Sequence, residues 1–158
     1  QKYHLTFSGM HALDILRLEK KFLHWGHDIT SENNPFESGL SFAVNFEKKQ
    51  NFIGRDALEK IKEEPLKSKL ELFSLKNKFK PGVPLLLHDE PIFKGDKIVG
   101  YTTSSNFSFY YRKNICLAYI QGETKDRENL YIEVEGQRYL LHLEKTPLHD
   151  PTSKLLRS

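Results

Sequence analysis

The sequence predicts an α+β protein in which helices and strands alternate first and an all-β region follows. Up to Glu64, apolar residues recur with helical spacing in two segments and with the two-residue period of a strand in two others. From Lys69 onward, six short apolar runs are separated by turn residues, a pattern typical of a small barrel or sandwich. We place the domain boundary at Pro65–Ser68, which divides residues 1–64 from residues 65–158.

Each predicted element follows from its local pattern. Ser8 and Gly9 offer an N-cap for a first helix that ends near Lys21, and Pro65 ends a second helix within Asn51–Glu64. Strands alternate apolar and polar residues between turn signals. The predicted strands are Lys2–Phe7, Leu40–Phe46, Leu70–Leu75, Val83–His88, Lys97–Thr103, Asn114–Ile120, Leu130–Val134 and Arg138–Leu143, with hairpin turns at Lys94-Gly95-Asp96 and Glu135-Gly136-Gln137.

Composition narrows the possible classes of protein. The 158 residues are 38% hydrophobic and 28% charged, so a core can form and wholesale disorder is not expected. The single cysteine, Cys116, excludes an internal disulfide and suits a reducing compartment. No apolar run approaches the roughly 20 residues of a membrane span, and we expect no membrane partner. The net charge of +3 is less basic than a nucleic-acid binder usually is. A chain that opens at Gln1 is interpreted as a piece of something longer.

Glu19 is the carboxylate that the first helix places among apolar side chains. It belongs to a stripe with helical spacing that comprises Ala12, Ile15, Leu16, Glu19, Phe22 and Leu23. A charge in such a position is costly unless groups donate hydrogen bonds to it. Its partner could be a Lys or Arg in a structural ion pair, or a ligand.

Three stretches together resemble the aminomethyltransferase family typified by the T-protein of the glycine cleavage system. They read LRLEKKFLHWGHDI with NPFESGLSF, then NFIGRDALEKIK, then KIVGYTTSSNFSFYYRKNICLAYI. Their order and spacing resemble the family's C-terminal half. The HWGHDI segment is most similar to the folate-binding module of dimethylglycine and sarcosine dehydrogenases.

The resemblance implies that residues 1–64 are the end of a ferredoxin-like α+β domain and that residues 65–158 form a Greek-key β-barrel. It implies transfer of a one-carbon unit from an amine-derived donor to tetrahydrofolate, with FAD possible in an upstream domain. The family's catalytic Asp lies in a first half absent from this chain. We therefore assign no catalytic residue and expect this portion alone to be inactive. The implied location is the cytoplasm, or the mitochondrial matrix in a eukaryote.

The resemblance also implies three folate-binding residues. Glu19 matches the Glu of the family's RLE motif and would accept the two parallel N–H donors of a 2-aminopyrimidine edge. Trp25 would line the folate site or a domain interface, or it is a core aromatic that closes the helix. Lys48, beside Lys49, stands where the family places a basic residue near the glutamate tail. Arg55 is expected to be a structural ion-pair residue.

Two other patterns have functional readings that we do not favour. His24 and His27 could suggest a metal, but no further ligand has zinc-like spacing, so no metal site is assigned. Aromatic residues beside Arg112 and Lys113 resemble a strip that binds single-stranded nucleic acid, although in a barrel such alternation usually means core and rim. The alternative function is therefore a non-catalytic OB-like barrel that binds nucleic acid or a protein partner.

Overall fold

The computed structural model describes residues 6–76 and 84–157, in which two α-helices precede six strands. The helices are α1 (Met10–Glu19) and α2 (Arg55–Glu63), with a 3₁₀ turn at Ser41–Ala43 between them. The strands are β1 (Ser68–Leu75), β2 (Pro91–Lys94), β3 (Lys97–Ser108), β4 (Lys113–Gln121), β5 (Leu130–Val134) and β6 (Gln137–Glu144). Neither helix is long and apolar enough to cross a membrane.

The six strands close into an antiparallel barrel with the neighbour order β1-β4-β3-β2-β5-β6. Tight turns join β2 to β3 and β5 to β6. Glu135 and Gly136 both have positive φ in the second turn, as a type I′ hairpin requires. The prediction of an α+β protein with a β-barrel is confirmed. So are both hairpin turns and five of the predicted strands, whose ends agree within two residues except that β3 runs five residues beyond Thr103.

β1 and β4 are buried on both faces because each separates two apolar cores. Phe73 and Cys116 point into the barrel, while Leu72 and Leu117 point outward. The outward side chains pack beneath α1, where Leu18 is completely buried. The full outer core consists of Leu18, Leu70, Leu72, Ile115 and Leu117, with Leu23, Ile29, Tyr119 and Leu148 at its edge.

The register of the helical stripe differs from the prediction. Leu16 is 60% exposed and Phe22 is 50% exposed, whereas Leu18 is completely buried and Glu19 is 5% exposed. The side of α1 that faces the barrel is therefore centred on Leu18, which lies between two charged neighbours. The period alone could not reveal this, because Met10, Leu13 and Leu16 supply an equally apolar side that stays exposed.

Three predicted strands need comment. Leu40–Phe46 was wrong: it forms the 3₁₀ turn and irregular chain, and Phe42 is 83% exposed. Alternation does not form a strand unless another strand offers backbone partners. Val83–His88 was also wrong, since residues 84–88 have no strand and Val83 lies outside the described residues. Lys2–Phe7 lies largely outside them too.

The strand Pro91–Lys94 was missed because it is short and begins with a proline. Its position beside β3 and β5 is nevertheless needed to close the barrel. The second helix was predicted within Asn51–Glu64 and is confirmed there, where α2 begins after Gly54 with φ +90.

Candidate functional site

Glu19 lies in the last turn of α1, and its carboxylate points at the barrel. The Ser108 hydroxyl donates a hydrogen bond to Glu19 Oε1 at 2.5 Å, and the Tyr111 backbone N–H donates to Ser108 Oγ at 3.1 Å. The backbone carbonyl of Glu19 accepts a bond from His149 N–H at 2.9 Å. The helix end is thus fixed to the β3–β4 hairpin and to the C-terminal segment.

No ion pair neutralises Glu19 within the described part of the chain. Its neighbour Lys20 instead bonds Asp150 at 3.1 Å, and Arg17 points toward a different carboxylate. The structural ion pair considered for Glu19 is therefore not found among these residues. A nearly buried carboxylate held by one hydroxyl is uncommon, because such groups usually have a cation beside them.

The negative charge of Glu19 contributes to a raised pKa at Tyr111 in the β3–β4 hairpin. Burial raises the pKa of the Tyr111 phenol, and the charges of Glu19 and Tyr110 raise it further. The Tyr111 hydroxyl lies 3.4 Å from His149 Nδ1.

Arg17 and Asp28 form a second polar cluster that the sequence did not reveal. Asp28 is completely buried and accepts hydrogen bonds from Arg17 Nη1 at 2.6 Å, the His24 backbone N–H at 2.8 Å and the Thr103 hydroxyl at 2.6 Å. Arg17 Nη2 donates to Ser104 Oγ at 2.7 Å. The cluster connects α1, the loop after it and β3. The available signal was an Arg in a helix followed by an Asp in the next loop, which is too common to single out.

Trp25 does not close the helix as a core aromatic, since its side chain is 67% exposed. It lies in a tight loop in which Gly26 has φ +91 and donates its N–H to the Ile29 carbonyl at 2.8 Å. The exposed indole is therefore available to a ligand or to another domain.

Lys48 lines an apolar hollow of about 530 Å³ between the 3₁₀ segment and the start of α2. The walls include Leu40, Val44 and Phe52. Arg55 fixes this region by donating to the Lys48 and Phe46 carbonyls at 3.1 and 2.7 Å, and it pairs with Glu59. The structural reading of Arg55 is confirmed.

The three predicted folate-binding residues do not meet in one cavity among those described here. Glu19 lies under the β3–β4 hairpin, Trp25 on the loop after α1 and Lys48 beside α2.

His24 and His27 stack their rings, with centroids 4.6 Å apart. They line a cleft of about 330 Å³ together with His11, Arg17 and His88. Within residues 6–76 and 84–157, no group of three His, Cys, Asp or Glu side chains is arranged to hold a metal.

The aromatic strip divides between core and rim. Phe107 is buried, whereas Phe109 and Tyr110 are 74% and 79% exposed at the tip of the β3–β4 hairpin.

Comparison with known proteins adds the family to this geometry. Residues 1–48 match the model of the GCVT N-terminal domain, and residues 71–150 match that of the glycine cleavage T-protein C-terminal barrel domain. An aminomethyltransferase of Symbiobacterium thermophilum is 42% identical over 112 residues, which cover 71% of this chain and 28% of that protein. Mouse mitochondrial dimethylglycine dehydrogenase is 33% identical over 141 residues, covering 89% of this chain and 16% of that protein.

The fold also matches a solved structure. Glycine cleavage system aminomethyltransferase T from Bartonella henselae superposes with a TM-score of 0.75 at 22% identity, covering 89% of this chain and 38% of that one. The chain thus spans less than two fifths of the length of each of these relatives. Since the barrel model alone matches 80 of the 158 residues, the chain belongs to the glycine cleavage T-protein family.

Proposed function

We propose that this chain is the C-terminal portion of a tetrahydrofolate-dependent one-carbon transferase and that Glu19 binds the pterin ring. The main support is the nearly buried Glu19 carboxylate, which has a hydroxyl partner but no cation among the described residues. A 2-aminopyrimidine edge offers two N–H donors that could take the place of a cation. Each carboxylate oxygen has two lone pairs, so Oε1 can retain Ser108 while accepting a ligand hydrogen bond.

Lys48 and Trp25 share no described cavity with Glu19, and their proposed roles concern other parts of the folate molecule. The ammonium of Lys48, at the edge of an apolar hollow, suits the carboxylates of a folate glutamate tail. The exposed indole of Trp25 offers a face for stacking or for contact between domains. Tetrahydrofolate, once bound, would supply the nitrogen that accepts the one-carbon unit. An FAD domain upstream and a cytoplasmic or mitochondrial-matrix location remain predictions.

The proposed partner is the remainder of the family's N-terminal half, which would contribute the catalytic Asp. This chain would contact that partner through the exposed side of α1, where Met10, Leu13 and Leu16 are 66%, 55% and 60% exposed. Three apolar side chains at a spacing of three residues form a continuous face, and such faces usually pack against another element. This helix falls within the match to the N-terminal domain, which supports the assignment.

The alternative, a barrel that binds nucleic acid, is not favoured. Both family models describe glycine cleavage T-protein domains, and the aromatic strip divides between core and rim.

The test is a titration of tetrahydrofolate into the full-length parent protein and its variants. Glu19→Gln should weaken binding by about 1–3 kcal/mol, because the ligand loses a charged acceptor. Ser108→Ala is the matched control: it removes the structural hydrogen bond to Glu19 but keeps the carboxylate, so affinity should fall much less. Equal affinity of the parent and Glu19→Gln would refute the role of Glu19.

A further inference from the structure

A third pocket, of about 190 Å³, lies at the seam between β1 and β6, near the end of α1. It is lined by Lys21, Lys69, Glu71, Leu143, Glu144 and Lys145. Three lysines and two glutamates therefore line one small volume.

The two carboxylates are already neutralised by cations that do not line the pocket. Arg127 Nε donates to Glu71, and Lys113 lies 3.2 Å from Glu144. The Ser74 hydroxyl also donates to Glu144 Oε1 at 2.6 Å, and Lys69 lies 3.3 Å from Glu71. Five cations thus surround two carboxylates. Lys21 and Lys145 form no ion pair with any described residue, and the pocket has an excess of positive charge.

Lys21 has a strained backbone conformation and a partly buried ammonium group. It follows the C-cap of α1 with φ +55, the left-handed position at which a helix most often has glycine. Its ammonium is also partly withdrawn from water. Burial lowers the pKa of Lys21, Glu71 opposes that change and Lys69 adds to it. A strained and partly desolvated residue often has a functional reason.

Next to the pocket, the guanidinium group of Arg127 has a nitrogen without a hydrogen-bond partner among the described residues. Arg127 Nη1 is buried and forms no hydrogen bond with the described residues, while Nε of the same side chain is bonded to Glu71. Buried guanidinium donors without an acceptor are rare.

We propose that Lys21 and Lys145 bind a small oxyanion, either a phosphate or a carboxylate group, in this pocket. The anion would neutralise the excess charge and accept hydrogen bonds from both ammonium groups. Phosphate and carboxylate oxygens are the usual acceptors for clustered lysines. This site is separate from Glu19 and does not depend on the proposed folate role.

The experiment measures thermal unfolding of the 158-residue chain at pH 7 in sodium phosphate, sodium malonate or sodium chloride at equal ionic strength. A ligand at about ten times its Kd should raise Tm by about 3–5 °C, and above its Kd the rise should grow with the logarithm of the ligand concentration. Comparing phosphate with malonate identifies which class of oxyanion is bound. The chloride sample is the control for ionic strength.

Variants locate the effect. Lys21→Gln and Lys145→Gln should each weaken the apparent affinity at least tenfold. Lys60→Gln, an exposed lysine on α2 that does not line the pocket, should leave it unchanged. Lys21→Gly relieves the positive φ, so this variant should have a higher Tm than the parent in chloride and should lose the rise in phosphate and malonate.

The proposal is overturned if parent and variants respond equally, or if the parent responds no more to either oxyanion than to chloride. An unchanged or lower Tm of Lys21→Gly in chloride would contradict the argument from strain.

Discussion

Asp28→Asn tests whether the Arg17–Asp28 cluster fixes the loop after α1 to the barrel. Asp28 is completely buried, and one of its three hydrogen bonds comes from a guanidinium group. Removing one partner of a buried ion pair costs about 3–5 kcal/mol. Asparagine keeps one oxygen acceptor, so we expect a loss near 3 kcal/mol in the free energy of unfolding. Thr103→Val, which removes one neutral donor to the same carboxylate, should cost about 1–1.5 kcal/mol.

The assay is urea unfolding followed by far-UV circular dichroism. Asp89→Asn is the matched control, since the Asp89 side chain is 83% exposed and its one ion-pair partner among the described residues is His88, and it should change stability by less than about 0.5 kcal/mol. Combining Asp28→Asn with Arg17→Met should cost at least about 2 kcal/mol less than the sum of the single changes. A loss below about 1 kcal/mol for Asp28→Asn, or additive effects in the double variant, would refute this account of the cluster.

Three further predictions concern the cores and the barrel. Leu18→Ala should cost about 3 kcal/mol of unfolding free energy, whereas Leu16→Ala should cost less than about 0.5, because only Leu18 is buried; equal losses would mean that the helix register is wrong. Gly100→Ala should cost about 2–3 kcal/mol, since a Cβ there would lie 2.1 Å from the Tyr119 carbonyl oxygen, while Gly9→Ala meets no atom within 4 Å and should cost less than about 1. Burial raises the pKa of the Cys116 thiol to about 12, so iodoacetamide should label it at pH 8 only in urea. Because this folded-state pKa lies above the unfolded value near 9, the contribution of Cys116 to stability is present below pH 9 and is lost as pH rises toward 12. Cys116→Ala should therefore reduce the dependence of the unfolding free energy on pH between 9 and 12.

The sequence predicted most of the barrel because its strands obey local rules. Leu130–Val134 was predicted to the residue, and the Glu135-Gly136 turn is marked by the glycine that its backbone requires. β4 reads as a nearly continuous apolar run, which is what burial on both faces demands, whereas β1 is interrupted by the buried polar residues Glu71 and Ser74.

The errors arose where a local pattern depends on distant partners. Leu40–Phe46 has the alternation of a strand but no strand beside it in the described residues. Glu19 was singled out correctly as a buried carboxylate, yet its partner Ser108 is 89 positions away in the chain and could not be identified from spacing. Asp28 was overlooked for the same reason, since two of its partners lie on α1 and β3. Whether Glu19 binds folate stays a prediction.

The outer core beneath α1 has a practical consequence for anyone who divides this protein. Leu70, Leu72, Ile115 and Leu117 are covered by a helix that precedes Pro65 in the chain. A barrel expressed from residue 65 onward would present these four side chains to water as one apolar patch, and such patches favour self-association. The boundary that separates the two regions in sequence is therefore a poor place to cut. A fragment intended to remain monomeric should retain α1.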